Sequence, residues 1–151
     1  MNSFGSNVNG EVWIPYYQCG LINLFNKCEE LQSVVSSADT TRKLPIDFKL
    51  TASRKIGDGS FTSFRISATI MDTGIVSSSF FLSYTRDSVT YYQQPYPPGY
   101  ASDVINITRL DTLNQIISGT FSFTLYNPPD DSVVVTDGRF DVTFYRTCLC
   151  H

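Results

Sequence analysis

Apolar and polar residues alternate with a period of two along much of this chain. Phe64, Ile66, Ala68 and Ile70 share one parity, with Arg65, Ser67 and Thr69 on the other. Phe121, Phe123 and Leu125 alternate with Ser122, Thr124 and Tyr126, and Phe140, Val142 and Phe144 with Asp141, Thr143 and Tyr145. Such alternation predicts strands with one dry face and one wet face, the pattern of an antiparallel sheet. The breaks between runs are turn-formers: Gly57-Asp58-Gly59, Asp72-Thr73-Gly74, Asn127-Pro128-Pro129-Asp130 and Asp137-Gly138. Proline cannot donate to a ladder, and Gly138 is expected to take a positive φ after Asp137. The pattern predicts strands at about 9–16, 44–53, 61–71, 77–85, 88–93, 103–110, 114–126, 131–136 and 139–147. Nine short strands predict an all-β fold, an antiparallel β-sandwich or flattened β-barrel. In one stretch, Leu21, Leu24, Phe25, Cys28, Leu31 and Val35 recur at helical spacing. It reads as one short helix near residues 21–35, or as an apolar loop capping the sheet, with 33–41 an exposed loop.

Composition agrees with strands. The chain holds 4 Ala, 3 Glu and 4 Lys against 18 Ser, 15 Thr, 11 Phe and 9 Tyr, so the residues that build helix surfaces are scarce. The 151 residues amount to a single β-domain spanning 1–151. Residues 1–8 are expected to be flexible, and 18–42 and 91–100 read as insertion loops. No apolar run reaches transmembrane length. The net charge of −3 and the scattered 11 Lys and Arg give no basic face for nucleic acid. The pairs Arg42-Lys43 and Arg54-Lys55 read as solvated surface.

The cysteines bear on compartment. Cys19, Cys28, Cys148 and Cys150 are an even set in a small β-domain, which predicts disulfides and an oxidising location. Cys148 and Cys150 would lie on one strand face at the limit of bridging distance, so two links from the 19–28 segment to the C-terminal strand are preferred over a Cys19–Cys28 pair. Free buried thiols are the alternative to disulfides, and zinc binding by these thiolates with His151 is disfavoured, because the spacing departs from the usual knuckle. No metal or other cofactor is expected.

Catalytic patterns are weak. The single histidine is His151 at the chain end, which removes most histidine-based chemistry. Neither a phosphate loop nor a nucleophile elbow is present. The carboxylate pairs Asp137/Asp141 and Asp130/Asp131 fall at turns or on a wet face, as does Asp58, where aspartate is common for turn reasons. No catalytic residue is assigned. The run Thr90-Tyr91-Tyr92-Gln93-Gln94-Pro95-Tyr96-Pro97-Pro98-Gly99-Tyr100 is more suggestive. Prolines stiffen it, and Tyr91, Tyr92, Tyr96 and Tyr100 offer flat faces with polar tips for stacking on a glycan or peptide. The alternative is that these tyrosines pack on the sheet edge.

Three motifs carry a resemblance. Asn9-Gly10-Glu11-Val12-Trp13, Ile117-Ser118-Gly119-Thr120-Phe121-Ser122-Phe123 and Val135-Thr136-Asp137-Gly138-Arg139-Phe140-Asp141-Val142 resemble a family of small secreted lipoprotein domains of unknown function from Bacteroidota. Residues 18–42 and 91–100 depart from it. The resemblance implies an exported protein in the periplasm or on the outer-membrane surface, held by a lipid anchor after removal of a signal peptide. Neither signal peptide nor anchor lies in this chain, as if the sequence began after them with an added Met1. In exported proteins of this bacterial group, the motifs Asp39-Thr40-Thr41, Asp87-Ser88-Val89, Asp111-Thr112-Leu113 and Asp131-Ser132-Val133 fit O-glycan acceptors, and turn chemistry explains them equally well. Asn106-Ile107-Thr108 fits an N-glycan acceptor but falls inside a strand. The expected role is a non-enzymatic binding or accessory module of the cell envelope, its partner a glycan, a peptide or an envelope protein. The alternatives are a lipocalin-like carrier of a small apolar ligand and a glycan hydrolase using surface carboxylates.

Overall fold

A computed structural model describes residues 2–17, 31–36, 44–55, 59–76, 80–93 and 103–147, with backbone alone for 16–17, 31–36 and 145–147. The described residues are all-β and contain no helix. In chain order the strands are β1 (Ser3–Val8), β2 (Glu11–Trp13), β3 (Tyr16–Tyr17), β4 (Leu31–Ser36), β5 (Ile46–Lys55), β6 (Phe61–Ile70) and β7 (Gly74–Ile75). They continue as β8 (Phe80–Arg86), β9 (Val89–Tyr92), β10 (Val104–Asp111), β11 (Ile116–Asn127), β12 (Asp131–Thr143) and β13 (Tyr145–Thr147).

Ten of these follow one path, β13-β4-β5-β6-β8-β9-β11-β12-β1-β2, with β10 beside β11, β7 beside β10 and β3 beside β5. The path does not close into a barrel. It bends where β9 meets β11 through one register pair, Tyr92 with Tyr126. The two halves then face each other as a sandwich. Rings meet across the gap: Phe48 with Phe140 at 5.6 Å, Trp13 with Phe64 at 4.8 Å and Phe4 with Phe64 at 5.7 Å between centroids. Pairing is antiparallel except for β13 with β4 and β3 with β5. Both exceptions arise where the chain leaves one half, after β12 or after β2, and joins the other.

The alternation that predicts the strands also fills the core. Phe48, Leu50, Phe64, Ile66, Leu82, Ile117, Phe121, Phe123, Phe140 and Val142 are all buried. At about 25 cal/mol per Å2 of apolar surface removed from water, this inward face is the main favourable contribution to folding.

Several expectations are corrected. Residues 3–8 are strand, not a flexible end: β1 pairs with β12 on one side and β2 on the other. Phe4 is its one fully buried apolar residue, and β12 lies more than a hundred residues away, so local pattern is silent. The predicted strand 9–16 is interrupted at Asn9-Gly10, both at positive φ (51° and 83°), which forms the β1–β2 hairpin turn. Leu31 and Val35 belong to β4, against the helix near residues 21–35 and the loop at 33–41; residues 21–30 lie outside the described residues. Pairing with β5 makes residues 31–36 a strand. Tyr91 and Tyr92 belong to β9 and not to an insertion loop.

Residues 131–143 form one strand in place of two. Asp137 and Gly138 make a bulge within it: Phe121 pairs with Gly138 and Phe123 with Val135, so β12 carries an extra residue. Strand β1 sees the same bulge, pairing Gly5 with Arg139 and Asn7 with Thr136. The left-handed residue is Asp137 (φ 53°), not Gly138. Aspartate tolerates that conformation, and the Asn7 amide donates to its carboxylate at 2.9 Å.

Gly138 is required for another reason. A Cβ there would stand 2.6 Å from Cγ of Phe121 and closer still to the ring's Cδ2 and Cε2. Gly119 is its mirror: a Cβ would stand 2.6 Å from Cζ of Phe140 and 2.7 Å from the Asn106 carbonyl oxygen. Gly119 pairs with Phe140 and Phe121 with Gly138 in register. Each glycine is the floor on which the opposite strand's phenylalanine lies. The two Gly-x-Phe triplets, Gly119–Phe121 and Gly138–Phe140, are one interlocked cross-strand unit.

Candidate functional site

The expected contact tyrosines separate. Tyr91 and Tyr92 are neighbours on a strand and so point to opposite faces. Tyr91 is 1% exposed and lies in the core, which corrects its assignment as a ligand contact. Its hydroxyl donates to Asp131 Oδ2 at 2.5 Å and accepts from Arg86 Nη2 at 3.1 Å. The hydrogen bond to Asp131, then burial, raises its pKa above the ordinary tyrosine value. The Arg86 guanidinium also sits 5.9 Å from the Tyr91 ring centre. This link, with Asn127 Nδ2 donating to the Thr90 carbonyl, ties β8 and β9 to the β11–β12 hairpin where backbone pairing is thinnest.

Tyr92 points outward and is 47% exposed. Phe81 of β8 is 44% exposed, and the two rings lie 6.2 Å apart at 48°. Tyr126 stands opposite Tyr92 in register, so three aromatic residues run across β8, β9 and β11 on the outer face. Phe81 and Tyr126 escaped sequence reasoning because each stands alone on the wet parity of its strand. Tyr96, Tyr100 and the four cysteines, Cys19, Cys28, Cys148 and Cys150, lie outside the described residues.

Three of the four carboxylates considered for hydrolysis have structural partners. Asp131 accepts from Tyr91, Asp137 from Asn7, and Asp141 from Ser118 Oγ at 2.7 Å. Arg109 and Asp111 form an exposed ion pair, 3.3 Å apart. Asp111 also caps its own turn, accepting from the side chain and backbone of Asn114. Those bonds hold its carboxyl below the usual carboxylate range.

A second feature has no counterpart in the sequence reading. A cleft of about 400 Å3 opens at one end of the sandwich, between the β1–β2 hairpin and the ends of β5, β6 and β8. Arg54, Thr62 and Arg86 are register neighbours across β5, β6 and β8. They continue the inward rows Ala52, Phe64 and Tyr84, so polar residues occupy core-facing parity at this end. That breach of alternation, repeated on three strands, is the signal that could have revealed them. Trp13 Nε1 donates to Thr62 Oγ1 at 2.9 Å, and Thr62 is hydrogen-bonded in turn to Tyr84. Burial raises the Tyr84 pKa, with Arg86 opposing. The tight turn Asp87–Ser88, at φ 54° and 109°, closes one wall, where Asp87 Oδ1 accepts from the Phe61 amide at 2.8 Å.

Comparison with protein-family models, curated proteins and solved structures returns no match.

Proposed function

We propose that the protein is a non-enzymatic binding module of the bacterial cell envelope, extracytoplasmic and lipid-anchored, that docks a glycan on its outer face. The observation that carries the docking is the row Phe81–Tyr92–Tyr126. Two of its large rings stay about half exposed, side by side, on a sheet whose opposite face is packed. Aromatic residues held by paired strands lose little freedom on binding, and their faces suit the apolar side of a sugar ring. The likeness of the Gly119 and Gly138 motifs to secreted lipoprotein domains supports the location. The interior rings pack on one another, Phe4 on Phe121 at 5.2 Å and Phe121 on Phe123 at 5.3 Å. That packing supports a docking module over a carrier with a ligand inside.

The test is affinity electrophoresis through gels containing neutral or acidic polysaccharides. Retarded migration of the parent protein, lost in Tyr92→Ala and Phe81→Ala, is the expected result. Retardation that survives both substitutions, or none in any gel, would overturn the glycan reading of this face.

A further inference from the structure

The cleft at the β1–β2 end supports an inference separate from the outer aromatic row. Its polarity follows from the side chains that line it. The Trp13 indole nitrogen can only donate, so the Thr62 oxygen accepts from it. Thr62 is also hydrogen-bonded to Tyr84, so indole, threonine and tyrosine are linked at the cleft. Tyr84 itself lines the cleft. Arg54 lies near enough to Tyr84 to act on it electrostatically, and it forms no ion pair among the described residues. Arg86 has five N–H groups and gives one Nη to Tyr91. Two guanidinium groups and the Tyr84 hydroxyl thus belong to the lining. Two carboxylates belong to it as well: Glu11 on the hairpin, and Asp87, whose Oδ1 takes the Phe61 amide.

We propose that this cleft binds a small hydroxylated carboxylate of sugar-acid type. The Arg54 guanidinium and the Tyr84 hydroxyl hold the carboxylate, with Arg86 beside them, and Glu11 and Asp87 accept from its hydroxyls. A plain carboxylate would leave both cleft acids facing an anion, and a neutral sugar would leave Arg54 without an ion-pair partner among the described residues. A volume of about 400 Å3 is within the range of small-molecule sites and accommodates one such ring. Trp13, the one tryptophan of the chain, forms part of the wall and reports on occupancy.

The experiment titrates the intact chain with glucuronate, following Trp13 fluorescence and, in parallel, heat by calorimetry. Glucuronamide serves as the uncharged isostere and glutamate as a carboxylate bearing an ammonium group. Expected are saturable binding of glucuronate that weakens with added salt, and affinity lower by about tenfold or more for glucuronamide and glutamate. Arg54→Gln should lose about tenfold in affinity for glucuronate. Tyr84→Phe keeps the buried ring and removes only the donor, so it tests the site if Arg54→Gln fails to fold; it too should bind more weakly. The proposal is overturned if glucuronate gives neither a saturable signal nor heat, if the amide or glutamate binds as well, or if folded Arg54→Gln or Tyr84→Phe binds like the parent. None of these outcomes bears on the outer face, whose aromatic residues take no part here.

Discussion

Gly138→Ala tests the interlocked Gly–Phe unit. The added methyl would land on the Phe121 ring. That ring cannot swing away cheaply, because Phe4, Phe123 and Phe140 surround it at centroid distances of 5.2, 5.3 and 6.3 Å. Overpacking of a filled core costs about 1–3 kcal/mol. Replacing glycine by alanine returns about 0.5–1 kcal/mol of chain entropy. The net expectation is a loss of up to about 2.5 kcal/mol, which for a domain of this size lowers the melting temperature by up to roughly 10 °C. Phe121→Ala alone should cost about 3–5 kcal/mol. In the double variant the new methyl occupies space the ring has left. The combined loss should therefore fall short of additivity by about 1–2 kcal/mol. Urea unfolding of the four proteins measures this, with an unchanged m-value as the check that only stability moved. Gly119→Ala is the internal contrast. Its Cβ also meets the Asn106 backbone oxygen, so removing Phe140 should not rescue it. Additivity of the Gly138/Phe121 pair within about 0.5 kcal/mol would refute the interlock, as would a Gly138→Ala protein more stable than the parent.

Other outcomes are expected together. Adjacent tyrosines should differ sharply: Tyr91→Ala should lose about 3–5 kcal/mol, and Tyr92→Ala should stay within about 0.5 kcal/mol of the parent in urea unfolding. Tyr91→Phe keeps the ring and removes only the link between Arg86 and Asp131, so it should cost about 1 kcal/mol in the same assay. Asp103, which accepts from the Thr124 amide, has its pKa raised by burial. A folded pKa above the unfolded value means stability falls as pH rises through the carboxylate range. Asp103→Asn should thus gain stability at neutral pH, and the gain should vanish below about pH 4; a gain independent of pH would count against burial as the cause. Reducing agent should lower the melting temperature by several degrees if Cys19, Cys28, Cys148 and Cys150 form disulfides. An unchanged melt with four titratable thiols would remove them.

Period-two alternation determined the class of this protein. Where apolar residues recur on one parity, as in 64–70, 121–125 and 140–144, the strand, its buried face and its antiparallel pairing were legible, because each depends on neighbours two residues apart. Tertiary structure decided what depends on distant partners. Strand β1 has one fully buried apolar residue, Phe4, and exists because β12 offers it an edge. The segment at 31–36 shows helical spacing and becomes β4 because β5 has a free side. Tyr91 and Tyr92 look alike in sequence, and the face of β9 that packs inward separates a core link from a surface contact. The motif glycines were legible as special, but the reason for Gly138 was not: it lies in the ring of Phe121, seventeen residues earlier. The cleft was least legible of all, since Trp13, Arg54, Thr62, Tyr84 and Arg86 come from four separate strands. Folding the sheet over itself brings them together, and local alternation carries no information about that bend.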